Sequence, residues 1–349
     1  MILRLAFFSV LTLTPLASFA ASFDCAKAST ADEKAICADP DLSKLDEQLA
    51  RAYAQALKKG PKEAVQADQK AWLKERRDCG ISGMARACLQ GLYNRRIAEL
   101  EGLGTRWSLA DWQRASGTWS EAESTETNNQ RLEIKAAAEK GVTFSLNSAS
   151  GTHGGEIEGV AHFTADGAFF KDNNPDNESG SDELACQLRF VPLGPERLKV
   201  AVVDVPNAER PSCADYGGGV DFGGLFLKGI HQKELSLMDL GVFKSPAQDQ
   251  AFRALVGDAY HDFAIRNPSP DADTKDIDGL GAEVATGWMR GMAPYGAIIM
   301  HTPGGHFYAA YMGWDEQKGT QLHYFSNDPR YAKQWPKTIE AWQGGSGAN

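Results

Sequence analysis

Four of the six cysteines, Cys25, Cys37, Cys79 and Cys88, fall inside a single stretch with helical periodicity, while Cys186 and Cys213 lie where the pattern alternates. So few helical residues bury little apolar surface, and cross-links then supply missing stability. All six follow an N-terminal leader, and an even count beyond a leader predicts three disulfides. No C-x-x-C occurs and the spacings do not match common zinc sites, so no metal is assigned to them. A nested pairing, Cys25 with Cys88 and Cys37 with Cys79, ties the first helix to the third and fourth. Cys186 with Cys213 staples a strand to the glycine-rich run Tyr216 to Val220. Those glycines lack a following Gly-Lys-Ser/Thr and read as a turn or bulge instead of a phosphate loop.

Residues 1–20 carry Arg4, an apolar run and the small-residue end Ser18-Phe19-Ala20, the pattern of a secretory signal cut after Ala20. A spanning helix needs roughly 20 apolar residues, and Pro15 interrupts this run. No later run is long enough to span. Cys25 follows Ser22-Phe23-Asp24, which does not fit a lipid-attachment box, so the expected product is unlipidated and periplasmic or secreted.

The formal net charge is -10, which argues against nucleic acid as partner, because phosphate binding needs concentrated Lys and Arg. Residues 21–103 hold 14 Lys plus Arg against 13 Asp plus Glu, and residues 104–349 hold 21 against 33. The acidity sits in the later part, where it serves solubility and steers a cationic partner.

Residues 21–103 read as a small helical bundle. Thr30 and Glu33 fit a capping box, and a first helix runs to about Cys37. Asp39-Pro40 opens a second with Leu42, Leu45, Leu49, Tyr53 and Leu57 at helical spacing, ended by Gly60-Pro61. A third carries Val65, Trp72 and Leu73 to Cys79-Gly80, and a fourth carries Leu89, Tyr93, Ile97 and Leu100. The candidate partner-binding residues here are Trp72, Arg76 and Arg95, although Trp72 at helical spacing also suits a core and the arginine pairs suit helix ends.

Residues 104–230 switch to alternation: Leu132, Ile134, Ala136; Val142, Phe144, Leu146; Ile157, Ala161, Phe163; Cys186, Leu188, Phe190; Leu198, Val200, Val202. Turn-rich stretches at 148–155 and 172–181 separate them. Seven or eight antiparallel strands, closed as a barrel or stacked as a sandwich, are predicted. A barrel would leave an interior for a small apolar ligand, and Gly117-Thr118-Trp119 is similar to the opening of lipocalin barrels.

Residues 231–349 read as an α+β unit. A helix starts at Ser245-Pro246, carries Ala251, Phe252, Leu255 and Tyr260, and ends near Asn267-Pro268. A meander follows over Trp288-Met289-Arg290, Ala297 to Met300, Phe307 to Met312 and Leu322 to Phe325, with a closing helix in Pro336 to Trp342. Asp271, Asp273, Asp276 and Asp278 offer calcium-type oxygens, but their spacing misses the EF-hand and favours a solvated loop. His301, His306 and His323 offer imidazoles for a hydrolytic metal without a nearby carboxylate at suitable spacing. Tyr308 and Trp314, with Tyr295 and Tyr311, are candidates for an aromatic binding patch. No HExxH, Gly-x-Ser-x-Gly or paired nucleophile and base occurs, so the chain reads as a binding protein without catalytic residues or cofactor.

The helical segment also resembles a known family. Phe23-Asp24-Cys25-Ala26-Lys27-Ala28, Glu33 to Cys37, Asp39 to Leu42, Leu45-Asp46, Gln69 to Leu73, Arg76 to Cys79, Cys88-Leu89 and Tyr93 to Ile97 follow in order the pattern of the lysozyme-inhibitor LprI N-terminal domain. The resemblance covers about a quarter of the chain beyond the leader. It implies lysozyme inhibition, with a cationic lysozyme or another envelope protein as partner, and offers no catalytic residues.

Overall fold

The computed structural model describes residues 21–81, 85–172, 186–203, 212–213, 216, 220–271, 273–292 and 295–345. The leader, most of 172–181 and the glycines 217–219 lie outside the described residues.

Four helices open the chain: α1 (Ala31–Ala38), α2 (Pro40–Lys59), α3 (Lys62–Ile81) and α4 (Ala85–Glu101). Their starts follow local chemistry. The Glu33 carboxylate accepts the Ser29 and Thr30 N–H groups at 2.8 and 3.1 Å, and these donors hold its pKa down to about 2. Asp39 accepts the N–H groups of Asp41 and Leu42, with Pro40 at the first helical position where no donor is missed. Ile36, Leu42, Leu49, Trp72, Leu89 and Tyr93 form the common core.

The disulfides correct the nested expectation. Cys25 pairs with Cys37 and Cys79 with Cys88, spanning 12 and 9 residues, and Cys186 pairs with Cys213. Cys25 sits in a short 3-10 turn that folds back on the last turn of α1, and Cys79 and Cys88 face each other where α3 gives way to α4. Each N-terminal bridge thus staples one corner, for about 3 kcal/mol in the chain-entropy model.

The long-range tie between these helices is ionic instead. Arg76 on α3 donates to Asp32 on α1 at 2.8 Å and lies 3.7 Å from Asp46 on α2. Tyr93 on α4 donates to Asp46 at 2.6 Å, and Ser22 donates to the other Asp46 oxygen through both its N–H and its hydroxyl. Burial pushes the Tyr93 phenol far above its usual range.

Helix α5 (Leu109–Arg114) leads into eight antiparallel strands that close into a barrel: β1 (Gly117–Glu121), β2 (Asn128–Ala138), β3 (Gly141–Ser150), β4 (His153–Thr164), β5 (Gly167–Lys171), β6 (Gln187–Gly194), β7 (Arg197–Val202) and β8 (Gly224–Lys228). Trp119↔Lys228, Ser120↔Leu227 and Glu121↔Phe226 close it. The alternating apolar residues point inward and fill it. Phe144 meets Phe170 and Phe190 with ring centroids 5.1 and 4.8 Å apart. Trp112 of α5 and Trp119 belong to the same core, each packed on Trp107, and the Trp119 Nε1–H donates to the Ala115 carbonyl at 2.8 Å. Trp119 of β1 is therefore part of the barrel core, and Trp112 of α5 joins the same cluster.

The last part is a three-layer unit. Helices α6 (Pro246–Val256) and α7 (Tyr260–Ala264) precede β9 (Ser269–Pro270), β10 (Glu283–Trp288), β11 (Gly296–His301), β12 (Phe307–Asp315), β13 (Gly319–Ser326) and α8 (Lys337–Gly345). The strands form one antiparallel sheet in the order β13-β12-β11-β10-β9. Odd-numbered residues such as Ile299, Phe307 and Tyr311 pack with Phe252 and Phe263 of α6 and α7. Even-numbered ones such as Ile298, Met300 and Tyr308 pack with Ile339 and Trp342 of α8.

Two sequence expectations shift here. The helix from Pro246 does not reach Asn267: it breaks at Gly257, whose φ is +57°. Met289 and Arg290 lie beyond the strand, which starts earlier, at Glu283, and ends at Trp288 ahead of Gly291 (φ +79°).

Candidate functional site

Between the helical bundle and the barrel lies a cleft of about 620 Å³. The sequence of α3 places Glu75 and Asp78 one turn apart on one face, and α4 contributes Asn94 and Arg95. The opposite wall is the barrel rim: Glu121 at the end of β1, Glu123 just after it, and Asp221 ahead of β8. Five carboxylates thus converge on a hollow with a single arginine. An adjoining hollow of about 460 Å³ shares Glu75, Arg95 and Asp221 and adds Lys199 and Glu99.

The walls are pinned by ion pairs at their margins. Lys199 of β7 donates to Glu99 of α4 at 2.6 Å, and Arg197 to Glu101 at 2.9 Å. Glu123 receives Asn94 of α4 at 3.1 Å and lies 3.5 Å from Lys233. Arg86 at the start of α4 binds Asp39 and Asp41 within the bundle and Asp239 on the segment leading to the C-terminal sheet, at 2.6, 3.1 and 2.5 Å.

Glu121 is the electrostatically unusual member. Burial, with the neighbouring Glu123 and Asp221 charges adding, pushes its carboxyl up to about 7, against the partial relief of the Glu123 N–H, which donates to it at 2.8 Å, and of Arg95. Near neutrality it is therefore partly protonated, and an arriving cation would favour its ionised form. Gly224 makes room for it, because a Cβ there would stand 2.6 Å from the Glu121 Cγ.

The residues singled out from sequence separate. Arg95 opens into the cleft. Trp72 and Arg76 are corrections: they are 6% and 8% exposed, Trp72 packs edge-on to Tyr93 at 5.1 Å and Arg76 is held in the buried ion network. Tyr308 is also corrected, being fully buried with its hydroxyl donating to Asp328 at 2.6 Å. Trp314 stays 63% exposed on β12, in the C-terminal sheet and apart from the cleft.

The acidic loop is occupied by its own backbone. Asp271 caps the turn at Asp273 and Thr274, and Asp278 accepts the Lys337 and Thr338 N–H groups at the start of α8. His301 is buried against Phe243, its Nε2 3.0 Å from the Val242 carbonyl, and burial lowers its pKa. His323 stacks on Tyr311. These two lie on the same sheet face but four residues apart in register, about 13 Å by strand rise, too far to share one ion.

Sequence reasoning missed Glu75, Asp78, Glu121, Glu123 and Asp221. The acidic excess after residue 103 was a signal for Glu121, Glu123 and Asp221 alone, since Glu75 and Asp78 lie in a segment of nearly balanced charge.

Residues 25–100 match the family model described as Lysozyme inhibitor LprI. Curated relatives include proteins named Lipoprotein LprI from Mycobacterium bovis and from the CDC 1551 and H37Rv strains of Mycobacterium tuberculosis. Each is 35% identical over 79 residues, covering 23% of this chain and 40% of the relative. The chain thus spans less than half the length of the curated relatives it matches. No solved structure matches it significantly. The match supplies the α3 and α4 wall of the cleft; Glu121, Glu123 and Asp221 lie outside it.

Proposed function

We propose that the protein is an exported, non-catalytic binding protein that captures a cationic lysozyme, or a similarly basic envelope protein, in the cleft between its LprI-like helices and its barrel. Its chain would comprise a signal at 1–20, a helical unit at 21–103, a barrel unit at 104–230 and a C-terminal unit at 231–349, acting in the periplasm or outside the cell. The observation that carries the reading is the convergence of Glu75, Asp78, Glu121, Glu123 and Asp221 on one hollow whose lining includes one basic residue, Arg95, with Lys233 3.5 Å from Glu123 at its margin. A predominantly acidic cleft focuses field and concentrates a cationic partner. A lysine or arginine side chain entering it would relieve the mutual repulsion of the carboxylates and the desolvation of Glu121. Three disulfides suit an oxidising compartment.

The test is inhibition of several lysozymes by the purified chain at low and moderate salt, beside a Glu121→Gln/Glu123→Gln/Asp221→Asn variant. Binding through the cleft weakens as salt rises and falls at least tenfold in the variant. An absence of both inhibition and complex at low salt discards the reading, and full inhibition by the variant discards the cleft.

A further inference from the structure

The two edges of the C-terminal sheet are unequal. At one, β9 is only two residues long and ends in Pro270, a short and proline-bearing edge that cannot template another strand. At the other, β13 presents eight residues, Gly-Thr-Gln-Leu-His-Tyr-Phe-Ser, with no Asp, Glu, Lys, Arg or Pro among them. Its register with β12 runs unbroken from Tyr308↔Ser326 to Asp315↔Gly319, so no bulge turns the edge away. Among the described residues its backbone bonds to β12, and the one further bond is from the Gln321 amide to the Thr320 carbonyl. Beside this open edge lies apolar surface on the α8 face of the sheet: Trp314, 63% exposed and paired with Thr320, and the half-buried Leu322 and Tyr324.

We propose that β13 is a dimerisation strand, pairing antiparallel with β13 of a second copy so that two five-stranded sheets become one of ten. Charge argues for self-pairing. A chain carrying -10 repels its own copy where acidic surfaces meet, whereas this neutral strip brings no like charges into register. Geometry selects the register. A two-fold axis perpendicular to the sheet continues each face into its own counterpart, so even-numbered residues must meet even-numbered ones. Centring on Leu322 sets Leu322 against its copy and Thr320 against Tyr324 of the second chain, with Trp314 one strand behind Thr320. That arrangement gathers Trp314, Leu322 and Tyr324 of both copies into one apolar patch, and main-chain bonds along the new ladder satisfy the open edge. It leaves the acidic cleft free, so the pairing and the lysozyme reading stand or fall separately.

Sedimentation equilibrium of the full chain over a concentration series tests it, with hydrogen exchange of the β13 amides read at both ends of the series. The expected mass rises towards twice that of one chain, and the β13 amides gain protection at high concentration. Leu322→Lys, which sets like charges opposite each other, and His323→Lys, an exposed position on the same strand, each raise the dissociation constant at least tenfold while circular dichroism confirms a folded chain. A single-chain mass throughout, a dimer untouched by both substitutions, or β13 amides indifferent to concentration overturns the proposal.

Discussion

Replacing Glu121 with glutamine separates what the cleft does for binding from what it does to stability. The carboxyl titrates at about 7 in the folded chain against 4.5 as the reference value. A folded pKa above the unfolded one means that the folded state holds its proton more tightly. Stability from this group is therefore full below about pH 4.5 and is lost as the pH rises through 7. Raising the carboxyl from 4.5 to about 7 corresponds to about 3 kcal/mol withdrawn by pH 8. Glutamine keeps the acceptor for the Glu123 N–H and has no charge to desolvate. Urea unfolding at pH 4.5 and pH 8 is the assay. The variant should match the parent at the lower pH and exceed it by up to about 3 kcal/mol at the higher one, while binding a cationic lysozyme more weakly at pH 8. Equal parent and variant stabilities at both pH values would refute the burial of this carboxyl beside other negative charges.

Other outcomes follow from the same geometry. Arg76→Ala leaves Asp32 and Asp46 buried without their cation and should cost about 3–5 kcal/mol by urea unfolding; a loss under about 1 kcal/mol would show the network to be solvated. Tryptic peptides of the unreduced protein should link Cys25 to Cys37 and Cys79 to Cys88, with mass spectrometry finding no Cys25–Cys88 species. Tyr308→Phe removes the donor to buried Asp328 and should lower stability by about 1–2 kcal/mol without changing lysozyme affinity in a titration; a change in affinity would return Tyr308 to the binding surface.

The elements were legible where one local rule decides them. Asp39-Pro40 announces the start of α2 because capping and the proline ring act within a single turn. Leu132, Ile134, Phe144 and Leu146 announce strands because the barrel buries only one of their two faces. The alternation fails in the C-terminal sheet, where helices cover both sides and β11 is buried at every position. Tyr308 therefore read as a surface aromatic although α8 and Tyr331 enclose it. The partners of the four N-terminal cysteines were illegible because they depend on a 3-10 turn at Cys25 that has no apolar periodicity to show. The cleft was hidden for a related reason: Glu75 and Asp221 are brought to one hollow by packing between units, and no spacing in the chain encodes that meeting.

The Arg86 guanidinium holds two aspartates of the LprI-like helices and one from the segment that feeds the C-terminal layers. A helical unit excised from this chain would retain an arginine lacking a third anion, and a truncated remainder would leave Asp239 without its Arg86 partner. The shared module is thus keyed to its host, so grafting it onto another scaffold would call for a replacement carboxylate at the seam.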